Sequence, residues 1–236
     1  MNQALDAVGH SRPLRDPFAD RASLLCRTLL ANPGIEWTVR GLAETAGVSP
    51  MLSSDVVRQL GAAAIVATRP KGRKLMVRLA NAQALLEAWT SAYQWKRNAA
   101  LRLGVPIPDD ERFLSRLGQL FGPRRWALTL LAGAARRIRY APADRIHIYV
   151  ECGSIAELRA IAEREGWPRD AAGRVVLMKP AYRTSVWHGI ASIGDGRVPV
   201  VSDLQLILDL WHYPVRGRET AEQLWRPIAR QFSDST

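Results

Sequence analysis

The sequence predicts an α+β fold in two parts, and three observations carry that expectation. Apolar residues recur at helical spacing in some segments and form short β-prone runs in others, so helices and strands are both expected. The first hundred residues order them as a helix, a short extended piece, two helices and a hairpin, whereas the remainder mixes helices with strands. Between the two, Gly104-Val105-Pro106-Ile107-Pro108-Asp109-Asp110 has the composition of a linker. A length of 236 residues agrees with two domains. The expected division is a loose arm over 1–18, a first domain over 19–97, a linker over 98–110 and a second domain over 111–236.

In the first part, Asp20 is the expected N-cap of a helix in which Ala22, Leu25 and Leu29 share a face, stopped by Asn32-Pro33-Gly34. Ile35-Glu36-Trp37 reads as extended. Thr38 then caps a second helix with Val39, Leu42, Ala43 and Ala46 inward, and Gly47 sits where a left-handed C-cap belongs. Ser49-Pro50 opens a third helix to about Leu60, with Leu52, Val56 and Leu60 inward and Gly61 as its stop. Two β-prone segments follow, Ala64 to Thr68 and Leu75 to Leu79, forming a hairpin with a basic, glycine-containing tip. A long helix is expected from Asn81 to about Arg97.

The second part reads as helices over 111–120 and 126–137, a strand over 145–150 and a helix over 155–165. Strands are expected over 175–178, 185–192 and 199–201, the last two joined by the turn Gly194-Asp195-Gly196. Ser202 and Gln205 form a capping box for a helix through Leu210, and 219–231 is the last helix.

Charge narrows the function classes. The 33 Lys and Arg against 22 Asp and Glu give a formal net charge of +11, with a pI of about 10.6. Such a balance favours a polyanionic partner, nucleic acid first among them. No apolar run reaches the length of a membrane span, and the N-terminus lacks the apolar stretch of a signal peptide, so a soluble cytoplasmic protein is expected. Cys26 and Cys152 are too few for a disulfide scaffold. His10, His147, His188 and His212 have no metal-ligand spacing, and no metal or cofactor is expected.

Helix, short strand, helix, tight turn, helix and two-stranded wing, in that order, is the winged helix-turn-helix arrangement. Its geometry lets the third helix enter a major groove while the wing lies along flanking phosphates. The expected DNA-binding residues are Arg40, Ser49, Met51, Ser53, Ser54 and Arg58 on the helical part, with Arg69, Lys71, Arg73 and Lys74 on the wing. From Arg69 to Arg78 there are five basic residues and no acidic one, which suits phosphate neutralisation. Protein interaction is the competing use of such a module. A second basic stretch, from Arg112 to Arg139, includes Arg124, Arg125, Arg136 and Arg137. It either extends the DNA footprint, docks an acidic partner, or forms solvated helix faces.

Three stretches of the second part carry a family resemblance: Leu130 to Ala135, Ile146 to Val150, and Val201 to Leu210 running into Tyr213 to Glu219. Together with the winged helix, they resemble the AbiEi family of antitoxins, transcriptional regulators of type IV toxin–antitoxin systems in phage defence. The resemblance spans about residues 20 to 232 and implies a repressor that binds inverted repeats in its own promoter. It also implies a second domain that neutralises a nucleotidyltransferase toxin, with Arg216 and Arg218 the antitoxic positions carried over. A regulator of another mobile-element or defence operon, without a toxin partner, is the alternative. An enzyme of a third class is weighed too: Gly133-Ala134 followed by a strand fits a degenerate nucleotidyltransferase-like domain. Metal-dependent transfer needs paired carboxylates on that strand, which instead offers His147 and Tyr149 between Asp144 and Glu151.

Overall fold

The computed structural model describes residues 15–107, 109–138, 143–193 and 198–233. The chain is α+β, with a three-stranded and a six-stranded sheet. Its first elements are α1 (Ser23–Ala31), β1 (Trp37–Thr38), α2 (Val39–Ala46), α3 (Pro50–Ala62), β2 (Val66–Lys71) and β3 (Lys74–Leu79). Local chemistry sets their ends. The Thr38 hydroxyl accepts from the Gly41 N–H and the Ser49 hydroxyl from the Leu52 N–H, each satisfying an orphan donor of a first turn. Gly47 adopts the left-handed conformation, φ 65°, after α2. Gly61 does not stop α3, which runs to Ala62, and Ala64 takes the positive φ instead.

The hairpin pairs Val66 with Leu79 through to Lys71 with Lys74, so its loop is only Gly72-Arg73. Gly72 has φ 59°, the sign a tight two-residue hairpin turn requires at its first position. Trp37 and Thr38 pair antiparallel with Val77 and Met76, making β3 the central strand.

The expected helix from Asn81 to Arg97 is shorter: α4 is Ala82–Ala92, followed by a 3₁₀ turn at Trp95–Arg97. Tyr93 leaves helical geometry as its hydroxyl turns inward to the Asp209 carboxylate at 2.5 Å. The stretch expected as a linker contains β4 (Ala99–Leu103), a strand of the six-stranded sheet antiparallel to the strand Val175–Lys179. After it come α5 (Asp110–Phe121), β5 (Trp126–Thr129), α6 (Leu130–Ala134), β6 (Ile146–Val150), α7 (Ile155–Arg164) and β7 (Val175–Lys179). The chain continues with a 3₁₀ turn at Ser185–Trp187, β8 (Ala191–Ile193), β9 (Val198–Val200), α8 (Asp203–Leu210) and α9 (Gly217–Ser233). The sheet order is β4-β7-β6-β5-β9-β8, with β6–β7 and β5–β9 parallel and the other pairs antiparallel.

Two expected elements change type. Trp126 to Thr129 begins the stretch read as a helix, yet it forms β5, buried at all four positions between β6 and β9. A strand covered on both faces has no alternation to reveal it, so its apolar run also satisfies helical spacing. The strand expected over 185–192 begins instead as the 3₁₀ turn, with β8 only at its end. The turn Gly194-Asp195-Gly196 lies outside the described residues.

A single apolar core runs from Phe18, Leu25 and Trp89 through Leu103 and Leu128 to Leu206 and Trp225. Phe18 was expected in the loose arm, but it is buried and stacks on Trp89, with ring centres 5.9 Å apart. Asp20 does not cap α1, whose N-cap is Ala22. Its carboxylate instead accepts from the backbone N–H groups of Arg183, Thr184 and Ser185 at 2.8–3.1 Å, fastening the start of the chain to the six-stranded part. Ser23 reaches Ser185 at 3.0 Å, and the Trp225 indole donates to Gln83 at 2.7 Å. Among the described residues no helix is long and apolar enough to cross a membrane.

Candidate nucleic-acid interface

The hairpin tip and α3 contain most of the residues singled out in the sequence. Lys71, Arg73, Lys74 and Arg78 are exposed on β2, the turn and β3, and no ion pair joins them to a described carboxylate. Arg69 differs: it forms a two-pronged pair with Glu36, at 2.5 and 2.6 Å. That contact raises the Arg69 pKa and lowers that of Glu36, since each charge stabilises the other. Arg58 pairs with Asp55 at 2.8 Å and Arg40 with Glu44 at 2.9 Å, both on exposed helix faces. Such surface pairs contribute about 0–1 kcal/mol, so a phosphate can displace them cheaply.

On α3, Met51, Ser54 and Arg58 are exposed and spaced three and four apart, which places them along one face. Met51 is 61% exposed. Ser49 is exposed too, but its hydroxyl is occupied as the helix cap. Ser53 requires a correction. It is fully buried, and its hydroxyl donates to the Val39 carbonyl at 2.9 Å, locking α3 against α2. A serine at an assumed outward position reads as polar surface in a sequence; here its small volume and single donor serve the helix junction.

The second basic stretch is mostly neutralised. Arg125 pairs with Glu151 and lies over the Trp187 ring, 5.3 Å from its centre. Arg124 approaches Glu157 at 3.9 Å, Arg136 meets Glu111 at 2.5 Å, and Arg137 meets Asp203 at 3.1 Å. Arg218 pairs with Glu222 and lies 3.6 Å over the Trp211 ring. Arg216 is exposed in a left-handed conformation, φ 62°, next to Val215 at φ 57°. Arg139 lies outside the described residues.

On β6 the side chains that would have to hold metals are His147 and Tyr149, both buried. Burial, and then the charge of Arg145, lower the His147 pKa to about 4. Asp144 and Glu151 lie beyond the strand ends and face Arg145 and Arg125. Among the described residues no group of three or more His, Cys, Asp or Glu could hold a metal ion.

What the sequence reading missed is a buried polar network between the two parts. Asp209 on α8 is 1% exposed and accepts from Tyr93 (2.5 Å), Tyr149 (3.0 Å), Thr129 (2.5 Å) and Gln205 (3.0 Å). Burial raises its pKa, and the four donors act in the opposite direction. Gln205 also accepts from Arg27 of α1 at 2.5 Å, so a buried guanidinium and a buried carboxylate are linked through one amide. The expected capping box is therefore half formed: Ser202 caps Gln205, but the Gln205 side chain turns into the core. The available signal was the i, i+4 spacing of Gln205 and Asp209 within an otherwise apolar helix.

These features define an α+β protein with a cationic, carboxylate-poor hairpin in its three-stranded sheet and a separate mixed six-stranded sheet. Residues 78–228 match the family model of AbiEi antitoxins, transcriptional regulators of type IV toxin–antitoxin systems, and the chain belongs to that family. The match begins within β3 and ends in α9, so it takes in the six-stranded sheet and the Gln205–Asp209 pair but not α1 to β2. No curated protein and no solved structure matches the chain.

Proposed function

We propose that the chain binds duplex DNA as a winged helix-turn-helix repressor of its own operon, acting in the cytoplasm. In this reading α3 enters the major groove, presenting Met51, Ser54 and Arg58, while β2–β3 is the wing on flanking phosphates. The later elements carry the antitoxin role against a nucleotidyltransferase toxin, with Arg216 an exposed contact. The observation that supports this most is the hairpin tip. Lys71, Arg73 and Lys74 gather there, with Arg78 near the open end of the same hairpin, and none of the four forms an ion pair with a described carboxylate, while most arginines of the second basic stretch are paired.

Each phosphate contact contributes roughly 0.9 to the slope of log affinity against log salt. Replacing Lys71, Arg73 and Lys74 together by Ala should flatten that slope by about 2 to 3 and weaken operator and random duplexes alike. Replacing Arg58 or Ser54 should cost about 1 to 3 kcal/mol on the operator and little on random DNA. Binding measured on both duplexes over a salt series tests the division. An unchanged slope in the triple variant would replace the wing reading with that of a protein-interaction module.

A further inference from the structure

We infer that the cavity between α1, α8 and α9 is a binding site for a small organic anion, a carboxylate or phosphate headgroup on a short apolar body. The cavity has a volume of about 250 Å³ and is bordered by Arg27, His188 and Ser202 on its polar side. Leu30, Leu204 and Ile228 provide apolar wall. Its position matters, because α1 belongs to the proposed DNA-binding part and α8 to the matched family region.

Arg27 is the centre of the argument. It is 3% exposed, and its two acceptors among the described residues are neutral: Gln205 Oε1 at 2.5 Å and Ser202 Oγ at 3.4 Å. Its buried Nε has no hydrogen-bond partner among the described residues. Two of five guanidinium donors are thus used, while the Trp89 ring covers the group at 5.3 Å. A planar fork of donors held in place against a cavity is the geometry that takes a carboxylate or phosphate. Ser202 caps the start of α8, whose free N–H groups and dipole add a positive field at the same wall. Partial burial and the charge of Arg27 lower the His188 pKa, and a ring N–H of this side chain can donate a hydrogen bond at the cavity mouth. Asp203 also borders the cavity, but its carboxylate is paired with Arg137 at 3.1 Å. The apolar walls and the volume suit a ring or short chain rather than a bare inorganic ion.

The test uses the full chain and does not depend on the DNA-binding reading. Benzoate, hexanoate and phenyl phosphate are titrated by protein-observed NMR, with benzyl alcohol as the uncharged counterpart. At least one anion should bind about tenfold more tightly than benzyl alcohol, and benzoate against phenyl phosphate distinguishes the two headgroups. Arg27→Lys keeps the charge but not the fork and should weaken binding about tenfold. Ala31→Trp, at the exposed rim, should block the cavity without touching the network. The inference fails if no anion binds at about 10 mM, a generous ceiling for fragments of this size. It fails equally if benzyl alcohol binds as well as benzoate, or if either variant binds like the unaltered chain.

Discussion

Replacing Asp209 by Ala should destabilise the whole chain by about 3 to 5 kcal/mol, the range for breaking a buried, hydrogen-bonded charge. The carboxylate accepts four hydrogen bonds, from elements as far apart in sequence as Tyr93 and Tyr149. Without it the hydroxyls of Tyr93, Tyr149 and Thr129 lose their acceptor in a region closed to water. An unsatisfied buried donor costs about 1 to 3 kcal/mol, though the pairs that remain reduce the sum. Tyr93 still accepts from Gln205 at 3.1 Å and Tyr149 from Asn98 at 2.9 Å, so three full penalties are not expected. Arg27 also loses the negative charge that reaches it through Gln205. Tyr93→Phe removes one bond and should cost about 1 to 2 kcal/mol. Because the two residues touch, the double variant should fall short of additivity by about 1 kcal/mol. Urea titration followed by the fluorescence of the eight tryptophans reads these differences. The network spans both parts, so the transition should stay single and move as a whole. A loss below about 1 kcal/mol for Asp209→Ala, or two separated transitions of which only one shifts, would refute the reasoning.

Three other outcomes are expected. His147, with a native pKa of about 4 against an ordinary 6.5, binds no proton in the folded chain over a window in which the unfolded chain does. Stability should therefore fall as pH drops from about 6.5 to 4, by about 3 kcal/mol in all, and His147→Phe should flatten that dependence in pH-resolved denaturation. Ser53→Ala should cost about 1 kcal/mol of stability through the lost bond to Val39, while the operator-to-random affinity ratio stays unchanged. At Gly173 a methyl group would overlap the backbone carbonyl of Leu103. Gly173→Ala should then cost about 1 to 3 kcal/mol, seen as a fall of about 2 to 4 °C in melting temperature per kcal/mol.

Features set by neighbouring residues were legible in the sequence. Thr38, Ser49 and Gly47 bound α2 and α3 where a cap and a left-handed stop are chemically favoured, and Gly72 sits at the hairpin turn. The basic tip could be read directly because charges at a two-residue turn have nowhere to go but solvent. The family resemblance around Val201 to Glu219 likewise lies within the matched span.

Tertiary structure alone decided what distant residues do to one another. Trp126 to Thr129 is a strand because β6 and β9 supply its hydrogen bonds, a partnership that its own apolar run does not encode. Residues 99–103 have linker-like neighbours, yet pairing with β7 makes them sheet. Asp20 has the chemistry of a helix cap and spends it on three N–H groups more than 160 positions away in the chain. Ser53, Gln205 and Asp209 have the chemistry of solvent-facing side chains until the packing of α2 on α3, and of α6, α9 and β5 on α8, encloses them. Local sequence specified the ends of α2, the start of α3 and the hairpin turn, because those bonds close within a few residues. Whether a polar side chain meets water or another buried group depends on which surfaces come together, and that was settled only when the chain folded.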